Sequence, residues 1–308
     1  MKSKRFTIYA WGVLAFNVLV ILWGAFVRAT GSGAGCGGHW PLCNGVVVPR
    51  APGIETIIEF THRMLSALSV ALIAALIFWG FRVYARRQLI RKMLVTCGVF
   101  IIAEALVGAV LVLFGWVATN VSLQRAISVP LHLVITFGLL AALALTAWLA
   151  SGGGPVQARG RGWLPWAWIL ALLGTLLLGM SGAVTALGDT LFPVQTLGEG
   201  LAQDISPTAN ILVRLRIWHP FIAVTMALYA VVLAQLLRRL HPTPWGDRLA
   251  QAQVILFVVQ VVAGALNVVL LAPVWMQIVH LFLADLVWIN LVLLGAAAFA
   301  APAPAACG

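Results

Sequence analysis

The sequence predicts an all-α integral membrane protein with eight transmembrane helices, arranged as two pseudo-symmetric four-helix bundles. Three observations predict it. Of the 308 residues, 62% are hydrophobic and only 9% charged, where a soluble domain is about a quarter charged. Apolar runs long enough to cross a bilayer fall at residues 9–27, 57–81, 94–116, 129–149, 164–187, 209–237, 250–272 and 274–296. Finally, motifs of the first four runs recur in the last four. The first run follows a basic Met1-Lys2-Ser3-Lys4-Arg5. Its core is longer than a signal-peptide h-region and no small-residue cleavage site follows it, so it reads as a retained helix.

The net charge of +11 does not point to nucleic acid, because its distribution follows the loops. Lys2, Lys4 and Arg5 precede the first span. Arg82, Arg86, Arg87, Arg91 and Lys92 lie between the second and third, Arg159 and Arg161 between the fourth and fifth, and Arg238, Arg239 and Arg248 between the sixth and seventh. Of the eight acids only Asp247 falls in one of these loops. The positive-inside rule makes that side cytoplasmic. The expected location is the cell membrane, with both termini cytoplasmic and anionic membrane lipid as a contact.

In chain order, the first span ends in Val27-Arg28-Ala29-Thr30-Gly31. Arg28 is either a snorkelling interfacial anchor or a cation for a ligand carboxylate, which arginine binds through two parallel hydrogen bonds. The loop Cys36-Gly37-Gly38-His39-Trp40-Pro41-Leu42-Cys43 faces the oxidising side, where thiols pair readily. A Cys36–Cys43 disulfide is expected there, in preference to a metal site with His39. The second span opens on Glu59-Phe60-Thr61-His62-Arg63. Ionisable groups at the head of a membrane helix are costly and functional by default. Glu59 and His62 share a helical face, and Arg63 can pair with Glu59.

The third span carries Glu104, a carboxyl that at that depth either finds a partner or stays protonated, as a structural hydrogen bond or part of a proton path, and Cys97, a small apolar filler. The fourth opens on Pro130 in its first turn, followed by His132 at a depth similar to His62. Residues 151–162 begin Ser151-Gly152-Gly153-Gly154-Pro155 and read as a flexible cytoplasmic linker. It separates an N-terminal bundle, 1–150, from a C-terminal bundle, 163–300. Residues 301–308, with Cys307, read as a disordered tail.

The halves are related at an offset of 157. Gly24 to Gly31 recurs loosely as Ser181 to Gly188, and His62 maps to His219. Glu104-Ala105-Leu106-Val107-Gly108 maps to Gln260-Val261-Val262-Ala263-Gly264 at an offset of 156, and His132 to His280 at 148, where one loop is shorter. Each bundle therefore carries two histidines on separate helices near the outer surface. An apolar slot with one or two axial imidazoles suits haem. Zinc or iron would want further carboxylate or thiolate ligands, and the second half offers only Asp285. The repeats also differ. Glu59 aligns with Arg216, and the cysteine pair has no counterpart. The first half thus looks equipped for chemistry. The second, with Arg214 and Arg216 as candidate contacts for haem propionates, looks equipped for electron storage.

These motifs resemble those of the haem A synthases. The likeness covers residues 1 to about 300. It rests on Gly24-Ala25-Phe26-Val27-Arg28 with Thr30-Gly31-Ser32-Gly33, on Cys36 and Cys43 around Trp40-Pro41, on Glu59 with His62-Arg63, and on His132, His219 and His280. The resemblance implies oxidation of a ring methyl of haem O to a formyl group by two successive hydroxylations, for haem A-containing terminal oxidases. It implies haem b on His219 and His280, substrate haem O facing His62 and His132 with Arg28 nearby, and a catalytic Glu59. It also implies a farnesyl-transferring haem O synthase as partner and a quinol or redox protein as electron donor. The alternative on the same histidines is a dihaem b-type electron-transfer cytochrome working with quinone. A transporter would place its polar groups at mid-membrane instead.

Overall fold

The computed structural model describes residues 4–157 and 159–301. Most of the expected tail, Cys307 included, lies outside the described residues. Ten α-helices make up the regular structure, alongside one 3-10 turn at Ser32–Ala34: α1 (Lys4–Ala29), α2 (Ile54–Val83), α3 (Leu89–Leu113), α4 (Leu123–Ala150), α5 (Leu164–Leu191), α6 (Leu197–Ile205), α7 (Ile211–Arg216), α8 (Trp218–Leu240), α9 (Pro244–Val269) and α10 (Val274–Ala298). Taking α7 and α8 as one segment, eight are long and apolar enough to cross a membrane.

The helix boundaries have local causes. Ser122 caps α4 by accepting from the Arg125 N–H, and Thr243 caps α9 by accepting from the Gly246 N–H. The Ser122 cap starts α4 at Leu123, so Pro130 sits inside the helix and not in its first turn, as the sequence suggests. The sixth span is predicted as one run but breaks at Ile217. Pro220 has no N–H to give the Arg216 carbonyl, which removes a helical bond where α7 meets α8. Helix α6 is missing from the sequence reading. It is a nine-residue surface helix closed by a capping box, in which Thr196 Oγ1 accepts from the Glu199 N–H and Glu199 accepts from the Gln195 N–H.

Helices α1 to α4 close one ring of neighbours, and α5, α8, α9 and α10 close a second. The two rings share a core. Trp288 of α10 stacks on Phe137 of α4 at 5.1 Å and donates its indole N–H to the Phe137 carbonyl. Ile289, Val292 and Leu293 extend the contact into the core of the first ring. Helices α4 and α10 are the most buried, while α3 and α9 turn apolar faces outward. On α3 the exposed residues Val95, Val99, Ile102, Leu106, Val110 and Leu113 fall three or four apart. Such a stripe faces lipid in a membrane-spanning helix.

The Gly-rich connection between the halves is held by specific bonds. Trp148 donates to the Gly154 carbonyl, the Gln157 N–H bonds to the Phe299 carbonyl, and the Ala301 N–H bonds to the Pro155 carbonyl. Gly153 is required there, since a Cβ would fall 2.1 Å from the Trp148 ring. His241 accepts from Arg161 across the same end. Burial, with the Arg161 charge second, pushes the His241 imidazole below its usual range.

Candidate functional site: two histidine pairs in a duplicated bundle

Each ring of helices brings two histidines together. In the second half, His219 of α8 and His280 of α10 face each other with ring centroids 6.4 Å apart and planes at 84°. Two imidazole nitrogens, each about 2 Å from one metal ion with the ring centre about 1.1 Å behind, would place the centroids roughly 6.3 Å apart. The Ser181 hydroxyl lies 2.9 Å from His219 Nδ1 and fixes that edge of the ring, leaving Nε2 free. Both rings lean against glycine. A Cβ at Gly182 would lie 2.9 Å from His219 Cε1, and one at Gly264 would lie 3.1 Å from His280 Cε1.

The first half repeats the arrangement with altered detail. His62 of α2 leans on Gly24, where a Cβ would lie 2.9 Å from Cε1. His132 of α4 and Glu104 of α3 are within electrostatic reach of His62. Gly24 and Gly182 therefore share a role at an offset of 158, one residue from the sequence offset of 157 that relates His62 to His219. Nδ1 of His62, of His132 and of His280 are buried without a well-formed hydrogen bond, and that of His132 lies 3.0 Å from Glu104 Oε2. No cluster of three or more His, Cys, Asp or Glu side chains able to hold a metal ion occurs among the described residues. The donor set is two imidazoles per half, which fits a macrocycle that brings its own nitrogens. Asp285 is wholly buried with neither oxygen hydrogen-bonded, and it joins no such cluster.

Glu59 is 3% exposed and its carboxylate is fully engaged. Oε2 accepts from the Cys36 N–H at 2.7 Å, and Oε1 accepts from Nε and Nη2 of Arg63. Arg63 in turn donates through Nη1 to the carbonyls of His39 and Leu42. The Cys36–Cys43 disulfide is present and closes this loop over the head of α2. Glu59 thus lies one turn from His62 and also clasps the loop. Its aligned residue does a similar job with the opposite charge. Arg216 binds Asp189 and Asp204 and clasps α6. Of the two arginines expected near propionates, only Arg214 is exposed and free of an ion pair among the described residues.

Arg28 reaches across to the other half. It donates to the Ala186 carbonyl and Thr190 Oγ1 of α5 and to Gln277 Oε1 of α10. These bonds join the two rings at the end of the bundle where α1 and α5 terminate. The sequence reading missed Ser181, the three glycines and Arg125. Arg125 is buried and donates to the carbonyls of Ala118 and Asn120, shaping the loop before α4. The only sequence signal for Ser181 and the glycines is their place in the repeated segment.

The disulfide makes a count testable. The chain has four cysteines. Under denaturing, non-reducing conditions, thiol labelling is expected to modify Cys97 and Cys307 and to spare Cys36 and Cys43. Reduction beforehand should bring the count to four. Four labelled thiols without reductant would contradict the pairing.

Fold and site together define a duplicated, eight-span membrane protein with one histidine pair in each half. The chain belongs to the COX15-CtaA family of cytochrome oxidase assembly proteins, which it matches over residues 7–292. It is 54% identical over 295 residues to a Thermus thermophilus protein named protoheme IX farnesyltransferase, an alignment covering 96% of this chain and 48% of that one. It is 38% identical over 147 residues to the heme A synthase of Alkalihalophilus pseudofirmus, covering 48% of this chain and 47% of the relative. With the heme A synthase of Halalkalibacterium halodurans the identity is 41% over 111 residues, covering 36% and 37%. The chain spans about half the length of the Thermus relative.

Proposed function

We propose that the chain oxidises haem O to haem A, converting a ring methyl to a formyl group through successive hydroxylations. The observation that carries this is the duplicated histidine pair, with ring centroids 6.4 Å apart in the second half and the Glu104 carboxylate beside the pair in the first. In this reading His219 and His280 hold a resident haem b, and His62 and His132 face the macrocycle of substrate haem O. Haem b supplies one-electron transfer when bound. Ser181 orients His219, and Gly182 and Gly264 leave room for the two rings. Arg214 is the free cation for propionates. Arg28 couples the halves, so that the substrate pocket and the haem b pocket keep a fixed relation.

Glu59 is the acid of the reaction in this proposal. It sits one helical turn from His62, and its two groups of donors hold the carboxylate in a single orientation. A positioned carboxyl can relay protons to and from a reacting centre. A second reading, that Glu59 only clasps the disulfide loop, is favoured by the engagement of both its oxygens.

In this reading both termini are cytoplasmic, which the basic loops support through the positive-inside rule. The partner is a haem O synthase. In the Thermus relative, a counterpart of this chain makes up about half the length of a protein named for farnesyl transfer. Electrons come from a quinol or a redox protein.

The test is made at the first pair. His62→Ala and His132→Ala, expressed with a haem O supply, are expected to keep haem b and to stop forming haem A. Normal haem A formation by both variants would sink the assignment.

A further inference from the structure

We infer that Glu104 and Gln260 give the two sites their different characters, each by acting on the histidine beside it. The inference rests on the proposed placement of haem O on the first pair and haem b on the second. Glu104 Oε2 lies 3.0 Å from His132 Nδ1, while Oε1 is buried and has no hydrogen-bond partner. Gln260 holds the same place in the repeat, and its Nε2 lies 3.4 Å from His280 Nε2, the other ring nitrogen, again with a buried, unpartnered Oε1. The two side chains have nearly the same shape and stand on corresponding helices, α3 and α9. They differ in charge.

The repeat disposes of the bland explanation for Glu104. If a polar side chain were needed here only to pack or to bond, an amide would serve, as Gln260 does in the other half. A carboxylate on a membrane helix is costly to bury, and His132 is its only ion-pair partner among the described residues. The local space differs in the same sense. His280 leans on Gly264, whereas a Cβ at Gly108, the corresponding residue, would touch nothing, so His132 is placed by Glu104 and not by a backbone wall.

A carboxylate beside the ring N–H of an axial histidine orients the ring and raises its basicity as a ligand, through a bond stronger than a neutral amide gives. With His132 Nδ1 turned to Glu104, Nε2 is left to face the substrate iron. An electron-donating axial nitrogen holds iron toward the ferric state and favours oxygen activation over simple electron transfer. The neutral Gln260 leaves His280 a weaker donor, which suits a haem that must accept and pass on an electron. Glu104 is thus a positioning residue, and the acid-for-amide difference separates the potentials of the two sites.

The experiment exchanges the two side chains and reads the midpoint potential of each haem by spectroelectrochemistry. Purified, haem-loaded protein is used, with haem O supplied during expression. Gln260→Glu is expected to lower the midpoint potential of the second-half haem. Glu104→Gln is expected to raise that of the first-half haem, and the double exchange to move both in opposite directions. Gln260→Glu leaves the first half untouched, so it carries the test even where Glu104→Gln impairs folding. Unmoved midpoints in fully loaded variants overturn this inference and leave the proposed function standing. Wild-type protein with no haem at either pair overturns both.

Discussion

Glu59→Gln is expected to fold, to keep its haem b and to form haem A about 100- to 10,000-fold more slowly, the usual range for losing general acid–base assistance. Gln keeps the shape and retains an oxygen to accept from the Cys36 N–H, so the disulfide loop stays anchored on one side. It gives up the ion pair with Arg63 and the exchangeable proton. Arg63 also holds the loop directly through the carbonyls of His39 and Leu42. Loss of product with an intact loop therefore identifies a proton role, and an accumulated alcohol intermediate would place the block after the first hydroxylation. The measurement is chromatography of extracted haems at matched protein levels. Near-normal haem A formation would show that the carboxylate only clasps the loop.

The second large effect is expected at the second pair. His219→Ala or His280→Ala should remove most of the haem b and alter the visible spectrum, because each replacement deletes one of only two imidazoles available there. Among the described residues no further His, Cys, Asp or Glu forms a metal-sized cluster with this pair. Ser181 is a hydroxyl held against His219, and Asp285 joins no metal-sized cluster. Met in place of either histidine should keep some haem with a shifted spectrum, since a thioether is a weaker axial donor that changes the potential. Haem b stoichiometry equal to the wild type in both Ala variants would contradict the assignment.

What the sequence made legible was local or periodic. The eight spans follow from hydropathy alone, and the disulfide from two cysteines seven apart in one short loop. The four histidines follow from a repeat visible in the chain. What stayed hidden depends on partners far along the chain. Arg28 reads as an interfacial anchor or a ligand cation, yet its guanidinium binds residues 158 to 249 positions away. The Gly-rich connection reads as flexible, but its hydrogen bonds go to residues 299–301, which composition cannot reveal. The break at Ile217 was readable from Pro220, but the apolar run around it masked the missing backbone donor. Glu59 and Arg216 seemed to mark an asymmetry between halves. Besides that difference in charge, each clasps a neighbouring segment, one through a backbone N–H and an arginine, the other through two aspartates.

The central claim is that this chain turns haem O into haem A. The most direct measurement is chromatography, with mass detection, of the haems extracted from purified wild-type protein expressed in a host that supplies haem O and makes no haem A of its own. The account predicts haem A, or haem O hydroxylated on a ring methyl, together with haem b. Haem b alone, with haem O present in the same membranes and unaltered, would contradict it and favour the dihaem electron-transfer cytochrome.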